Sequence, residues 1–261
     1  MVYFIYSDET ASSNIAAFLR DRLALQEIES NDRFRRFGTA GVEMIGVKGR
    51  LVDADFVDEI IEGTAIFLSR HSSSRGISAF TVHAEGNWSD DVSLGGRPKK
   101  LSVASPISML NFLNSMNSLN DTGIELVYEA THHGPFLEHP SMFVELGGNE
   151  EMIASKTRAE QLAQAVALSL ESSSSYDKVA VGFGGLHYSA KFTRLALQGK
   201  YAFAHIMPKY QIGNTDMIEA AFARSDLKPE IAIIEWKSIK AVARECIIRE
   251  LSSLGIDYAK V

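Results

Sequence analysis

Residues 124–135 read Ile-Glu-Leu-Val-Tyr-Glu-Ala-Thr-His-His-Gly-Pro, an apolar run that stops at a histidine pair and a Gly-Pro corner. A strand that delivers polar side chains to a cleft at its carboxyl end has this form, and open α/β sheets place their ligands there. The chemistry is therefore expected at this stretch. If the segment is still extended at His132 and His133, the two rings point to opposite faces and only one reaches a given pocket. If the strand has already ended at Thr131, both reach it. The plainer reading is a pair of surface or half-buried histidines beside a turn.

Outward from this stretch the chain alternates between strand-like and helical patterns. Val2 to Tyr6 is a compact apolar run, and residues 11–26 then carry Ile15, Phe18, Leu19 and Leu23 at helical spacing, with Asp8 to Thr10 available as a cap. Val42 to Val47 and Ala65 to Leu68 read as buried strands around a short helix at 53–61. Residues 77–83 alternate as a strand, and Pro106 to Leu119 is a helix whose Met109 and Met116 are core rather than a binding stripe. Ser141 to Leu146 is a strand with Glu145 near its end, and Thr157-Arg-Ala-Glu160 matches a capping box that opens a helix. Lys178 to Gly182, 203–208 and 229–236 read as later strands, with helices over 215–223 and 238–254, the last ended by Gly255. No repeat, low-complexity tract or linker divides the chain. The expectation is one domain over 1–261: α/β, three-layer α/β/α, with a mixed, mostly parallel sheet.

The 261 residues, 46% of them hydrophobic, are enough for a large core, and the net charge of −7 argues against a protein that coats nucleic acid through bulk electrostatics. A polyanionic substrate would need a local basic patch. Cys246 is the single cysteine, which excludes an intramolecular disulfide and a multi-cysteine zinc site and points to a reducing cytoplasm. It lies in a helical pattern and reads as core filler. The amino terminus has no signal-peptide pattern, and no run approaches the ~18 apolar residues of a membrane span.

Arg33-Phe-Arg-Arg-Phe37 reads either as a surface for single-stranded nucleic acid or, in preference, as an amphipathic strand with a solvated face. The loop 69–76 sets His71 between Arg70 and Arg75, a contact for an anion or phosphate, or an ordinary connection. Gly95-Gly-Arg97-Pro-Lys99-Lys100 is the most basic short loop, a solvated bend or an RNA-backbone contact. In the 182–188 corner a dinucleotide fingerprint would need glycine where His187 stands, so a Rossmann cofactor site is rejected. What remains is a turn in which Gly182, Gly184 and Gly185 let the backbone approach a ligand beside His187. His71, His83, His132, His133, His187 and His205 all fall at strand ends or Gly-rich corners, which suggests a cleft using imidazole for acid–base work or for a metal such as zinc. No Gly-x-Ser-x-Gly elbow or nucleophilic cysteine context is present.

Ser69-Arg70-His71, Thr81-x-His83-x-x-Gly86-Asn87, Ala130-Thr-His-His-Gly-Pro135, Phe143-x-Glu145-Leu-Gly147, Gly182-x-Gly-Gly-x-His-Tyr188 and His205-Ile-x-x-Lys209-Tyr210 run in order over nearly the whole chain. Together they resemble the motifs of the archaeal and plant type of D-aminoacyl-tRNA deacylase. The chain departs from that pattern where Met152-Ile153 follows Glu150-Glu151 in place of a longer acidic stretch and a tryptophan. The resemblance implies a phosphorylase/hydrolase-like fold, hydrolysis of the ester joining a D-amino acid such as D-tyrosine to tRNA, and a zinc requirement. It implies a cytoplasmic, monomeric protein whose partner is aminoacylated tRNA, with neither DNA nor membrane. On this view His132, His133 and His187 lie nearest the ester, with Glu145 as base, ammonium acceptor or orienter. His71, His83 and His205 are zinc ligands or phosphate contacts, and Arg70, Arg75, Arg97, Lys99, Lys100 and Lys209 contact the tRNA. Two alternatives are a zinc-dependent or nucleoside-processing hydrolase acting on a small molecule, which would have no use for the basic loop, and a non-catalytic RNA-binding module, which would tolerate loss of the histidines.

Overall fold

The computed structural model describes residues 1–71, 76–120 and 123–261. Its strands are β1 (Val2–Ser7), β2 (Gln26–Ser30), β3 (Phe34–Thr39), β4 (Val42–Val47), β5 (Thr64–His71), β6 (Ala79–His83), β7 (Gly86–Asn87), β8 (Lys100–Leu101), β9 (Val103–Ala104), β10 (Glu125–Tyr128), β11 (Pro140–Gly147), β12 (Lys178–Phe183), β13 (Tyr201–Met207), β14 (Ile231–Ile234) and β15 (Tyr258–Lys260). The helices are α1 (Thr10–Arg22), α2 (Pro106–Leu119), α3 (Glu150–Ala154), α4 (Lys156–Ser169), α5 (Ala190–Leu197), α6 (Ile218–Ala223) and α7 (Ala241–Ser253). The mixed α/β architecture with mostly parallel pairing is present, and its strands are divided among a large sheet, a small one and the two-stranded antiparallel pair β7-β8. The large sheet runs β10-β6-β11-β5-β1-β4-β3-β2, with β9 beside β11; the small sheet runs β13-β12-β14-β15 and is parallel throughout. Among the described residues no helix is long and apolar enough to cross a membrane.

Alternation along the strands positions the site. In the large sheet Phe4, Ile66, Leu68, Phe80, Val82, Met142, Val144 and Leu146 face a core shared with α1, α2 and α4. Their neighbours Tyr3, Ile5, Ala65, Phe67 and Phe143 face the other way, onto Leu51 and Val57 of two 3-10 turns at 51–53 and 55–59 and onto Ile61 just after them. Because successive side chains alternate, the second face continues past these apolar residues to Thr81 and His83 on β6, Glu145 on β11 and His71 on β5. The same face is thus greasy at one end of the strands and carries carboxylate and imidazole at the other.

Several local expectations are corrected. Helix α1 ends at Arg22, four residues before Gln26, because the chain reverses through Ala24 at φ +52° and leaves in β2. No side chain of Asp8 to Thr10 caps it; Ser12 Oγ instead accepts the Ser7 N–H at 2.9 Å and donates to the Leu68 carbonyl, tying helix to sheet. The cap of α4 is Ser155, not Thr157, and its Oγ accepts the Arg158 N–H at 3.3 Å. Cys246 is exposed on α7 rather than buried. The Arg33–Phe37 cluster is the amphipathic strand β3, with Phe34 and Phe37 inside and Arg35 paired with Glu27 at the surface.

Candidate active site

β10 ends at Tyr128; beyond it the pairing continues through isolated bridges of Glu129 with Tyr188 and His132 with Glu85, and His133 takes a left-handed conformation at φ +45°. The corner is held from behind. Gly86 N–H donates to the His133 carbonyl at 2.7 Å, and Trp88 Nε1–H donates to the Thr131 carbonyl at 2.9 Å. Both rings consequently turn into one cleft, with centroids 4.2 Å apart, and His83 approaches them at 4.3 and 4.9 Å. His187 joins from the Gly-rich corner, its ring 4.4 Å from that of His132.

At the centre is Glu129, a residue not singled out from the sequence. Its side chain has no solvent exposure, and its carboxylate lies 2.9 Å from His187 Nε2, 3.1 Å from His71 Nδ1 and 3.7 Å from His132 Nε2. Glu145, also buried, lies 3.3 Å from His71 Nδ1 and 3.7 Å from His83 Nε2. Burial alone would raise both carboxyl pKa values, but the surrounding imidazoles outweigh it and hold both below their ordinary range. Burial likewise pushes His71 down, and its bonds to Glu129 and Glu145 overcome this, lifting it to about 10. His83 is raised by the same carboxylates against its burial. His132 and His133 go the other way: burial and the neighbouring imidazoles hold His132 well below its ordinary value and His133 at about 4. Near neutral pH the centre therefore holds two anionic carboxylates and a protonated His71, beside neutral His132 and His133.

The donor set fits a divalent cation such as zinc. His71, Glu129, His132 and His187 bring one ligand atom each within 4.8 Å of one another, as do His83, His132 and His133, and zinc takes imidazole nitrogen and carboxylate oxygen. The outer nitrogens are already engaged. His132 Nδ1 meets the Ala130 carbonyl at 2.9 Å, His133 Nδ1 the Gly134 carbonyl at 2.6 Å, His83 Nδ1 the Ala84 carbonyl at 3.2 Å and His187 Nδ1 the Tyr210 hydroxyl at 3.3 Å. A carbonyl can only accept, so each such contact puts the proton on Nδ1 and leaves Nε2 as the basic atom in a neutral ring, the usual arrangement of metal-binding histidines. Buried His83 Nε2 and both Glu129 oxygens have no well-formed hydrogen bond.

His205 is not brought to this centre. It is fully buried on β13, its Nε2 donating to the Arg224 carbonyl at 2.8 Å and its Nδ1 3.2 Å from Thr131 Oγ1. With both nitrogens taken by neutral partners it supports the corner from behind and is no ligand. Gly184 and Gly185 have φ of +106° and +75°, but the group pressed against the corner is protein: a Cβ on Gly184 would meet Ser238 Oγ at 2.5 Å, and one on Gly185 would meet Glu235 at 2.6 Å. Gly182 packs against Phe192 and Ile206. Of the proposed cationic contacts, Arg70 pairs with Glu9 at 3.0 Å, Arg97 with Asp55 at 3.6 Å and Lys99 with Asp216 at 2.8 Å. Lys100 and Lys209 are exposed, and Arg75 lies outside the described residues.

Two cavities meet at the histidine pair. The larger, about 710 Å³, has His71, His132, His133, Glu145 and His187 at its base and Asp8, Arg50, Arg70 and Leu94 around it. The smaller, about 140 Å³, runs from the other side of His132 and His133 past Asn87 and Trp88 to Tyr210.

Fold and site together define an α/β protein with a buried histidine–carboxylate centre set at its strand ends. A family model described as D-aminoacyl-tRNA deacylase matches residues 61–259. A protein of that name from Pyrococcus horikoshii is 34% identical over 268 residues, covering 97% of this chain and 96% of the relative. One of the same name from Methanosarcina barkeri is 36% identical over 274 residues, covering 97% and 86%. A crystal structure of a conserved protein of unknown function superposes with a TM-score of 0.92 at 29% identity, covering 100% of this chain and 95% of that one. The chain belongs to the D-aminoacyl-tRNA deacylase family.

Proposed function

We propose that this protein hydrolyses the ester between a D-amino acid and the terminal ribose of tRNA. The observation that carries this reading is the Glu129–His71–His132–His187 cluster at the meeting point of two cavities, in a chain of this family. In the reaction a water oxygen bonds to the ester carbonyl carbon and the bond to the ribose oxygen breaks. One water proton ends on that ribose oxygen, the other is released to solvent, and the amino acid leaves as its carboxylate. His132 and His133, neutral with Nε2 as the basic atom, are suited to take the proton from water as it attacks. Glu129 orients His187 and His132 and stabilises either ring when it becomes cationic. Without an ion, His71, held protonated, supplies a fixed positive charge near the developing oxyanion. A zinc ion held by His71, His132, His187 and Glu129 would, when bound, lower the pKa of a coordinated water and polarise the carbonyl.

The test is a deacylation assay on D-tyrosyl-tRNA and L-tyrosyl-tRNA, with and without a chelator. The D-form is expected to be released at least tenfold faster, a difference of about 1.4 kcal/mol in activation free energy. Equal rates would remove the chiral assignment and leave a general esterase.

A further inference from the structure

The four strands of the small sheet are parallel, so their carboxyl ends lie along one edge. Beyond β12 come Gly184, Gly185 and His187; beyond β13, Lys209 and Tyr210; beyond β14, Glu235, Lys237 and Lys240; and β15 ends at Lys260. Backbone and ring contacts join these segments. Lys209 N–H donates to the Gly185 carbonyl at 3.0 Å, Gly185 N–H donates to Ser238 Oγ at 2.9 Å, and Lys260 Nζ sits 4.0 Å above the Trp236 ring.

This edge is unlike the rest of an acidic molecule. Its four lysines are exposed, and among the described residues none pairs with a carboxylate, whereas Arg97 and Lys99 are already neutralised by Asp55 and Asp216. The opposite edge of the same sheet mixes Lys178, Lys200 and Lys228 with Asp177, Glu230 and Asp257, so its charges cancel. At the inner end of the lysine row Tyr210 is 58% exposed, with its hydroxyl 3.3 Å from His187 Nδ1. An aromatic face continuous with a row of lysines that outnumber the one acid among them, Glu235, and pair with no carboxylate is the combination that holds single-stranded nucleic acid, by stacking and by phosphate neutralisation.

We propose that this edge receives the single-stranded 3′ end of a tRNA, with Lys209, Lys237, Lys240 and Lys260 on its phosphates and the Tyr210 ring against its terminal base. The assignment rests on the reading of the site given above, and it brings the terminal ribose beside His187. Stacking on a tyrosine tolerates any base and suits a 3′ end common to all tRNAs.

Binding of uncharged tRNA across a salt series tests the surface without requiring catalysis. The triple variant Lys209→Ala/Lys237→Ala/Lys240→Ala is expected to bind at least tenfold more weakly at low salt. Its log–log salt slope should be flatter by about 2, from roughly 0.7 per phosphate contact on a single strand. The charge-matched variant Lys156→Ala/Lys178→Ala/Lys228→Ala should bind as wild type does. Tyr210→Ala is expected to weaken binding about fivefold and Tyr210→Phe to retain it. An unchanged slope in the first triple, or equal flattening in both, overturns the proposal. If wild type releases D-tyrosine while the first triple binds normally, the surface is wrong and the deacylase reading stands. If wild type releases nothing while the first triple loses tRNA, the surface stands and the reading of the chemistry falls.

Discussion

Glu129 holds three imidazoles from a position without solvent exposure, so its charge cannot be replaced by water if it is removed. Glu129→Gln keeps the volume and takes away the anion. Turnover is expected to fall on the order of 10²-fold or more, the usual scale for a lost acid–base partner, and single-turnover deacylation will show it. His132→Ala and His133→Ala should each lose turnover by a similar factor, with the double variant little worse than either, because the two rings share one cleft and act as a unit. Near-normal turnover in both folded single variants would move the active site elsewhere. The histidine pair was legible because it stands at the end of an apolar run beside a Gly-Pro corner. Glu129 was not, because an acidic residue after a strand is ordinarily solvated. Only the return of His71 and His187 from distant segments shows that it is enclosed.

Among the elements, α2 and the strands around residues 42–47, 65–68, 141–146 and 178–182 follow from apolar periodicity. The fully exposed β2, Gln-Glu-Ile-Glu-Ser, has no such signal and exists by pairing with β3. Nor could the sequence divide the strands between the large sheet and the small one, since parallel pairing joins segments with no local marker. The 3-10 turns at 51–53 and 55–59 do more than close the apolar end of the large sheet. Asp58 Oδ1 accepts the backbone N–H of Glu138 and of His139, each at 3.0 Å, and lies 2.9 Å from His139 Nδ1. This fastens the segment between the histidine corner and β11. Burial pushes the Asp58 carboxyl up, but these bonds prevail and its pKa lies below the ordinary value. Its contribution is therefore complete above the unfolded value of about 4 and is lost as pH falls through the folded one. Asp58→Ala should cost about 1–3 kcal/mol near neutrality. In denaturant titrations the gap to wild type should close as pH falls through the folded Asp58 pKa, below the ordinary carboxylate range. A gap independent of pH would mean that lost packing, not charge, is responsible.

For the whole molecule, a cation bound only by the folded state stabilises it by mass action. Chelation is therefore expected to lower the melting temperature of wild type, and added zinc to restore it. Glu129→Gln, with a weakened ligand set, should show a smaller drop. A melting curve indifferent to both chelator and zinc would count against a metal at this centre. Global stability also bears on His133, whose φ of +45° is a conformation that glycine adopts freely and a side chain adopts at a cost of about 1–2 kcal/mol. Heat resistance and turnover consequently make opposite demands on one codon. A library varied at position 133 and screened only for survival on heating should drift towards glycine and lose its imidazole, while one screened for product should keep histidine and accept the lower melting point.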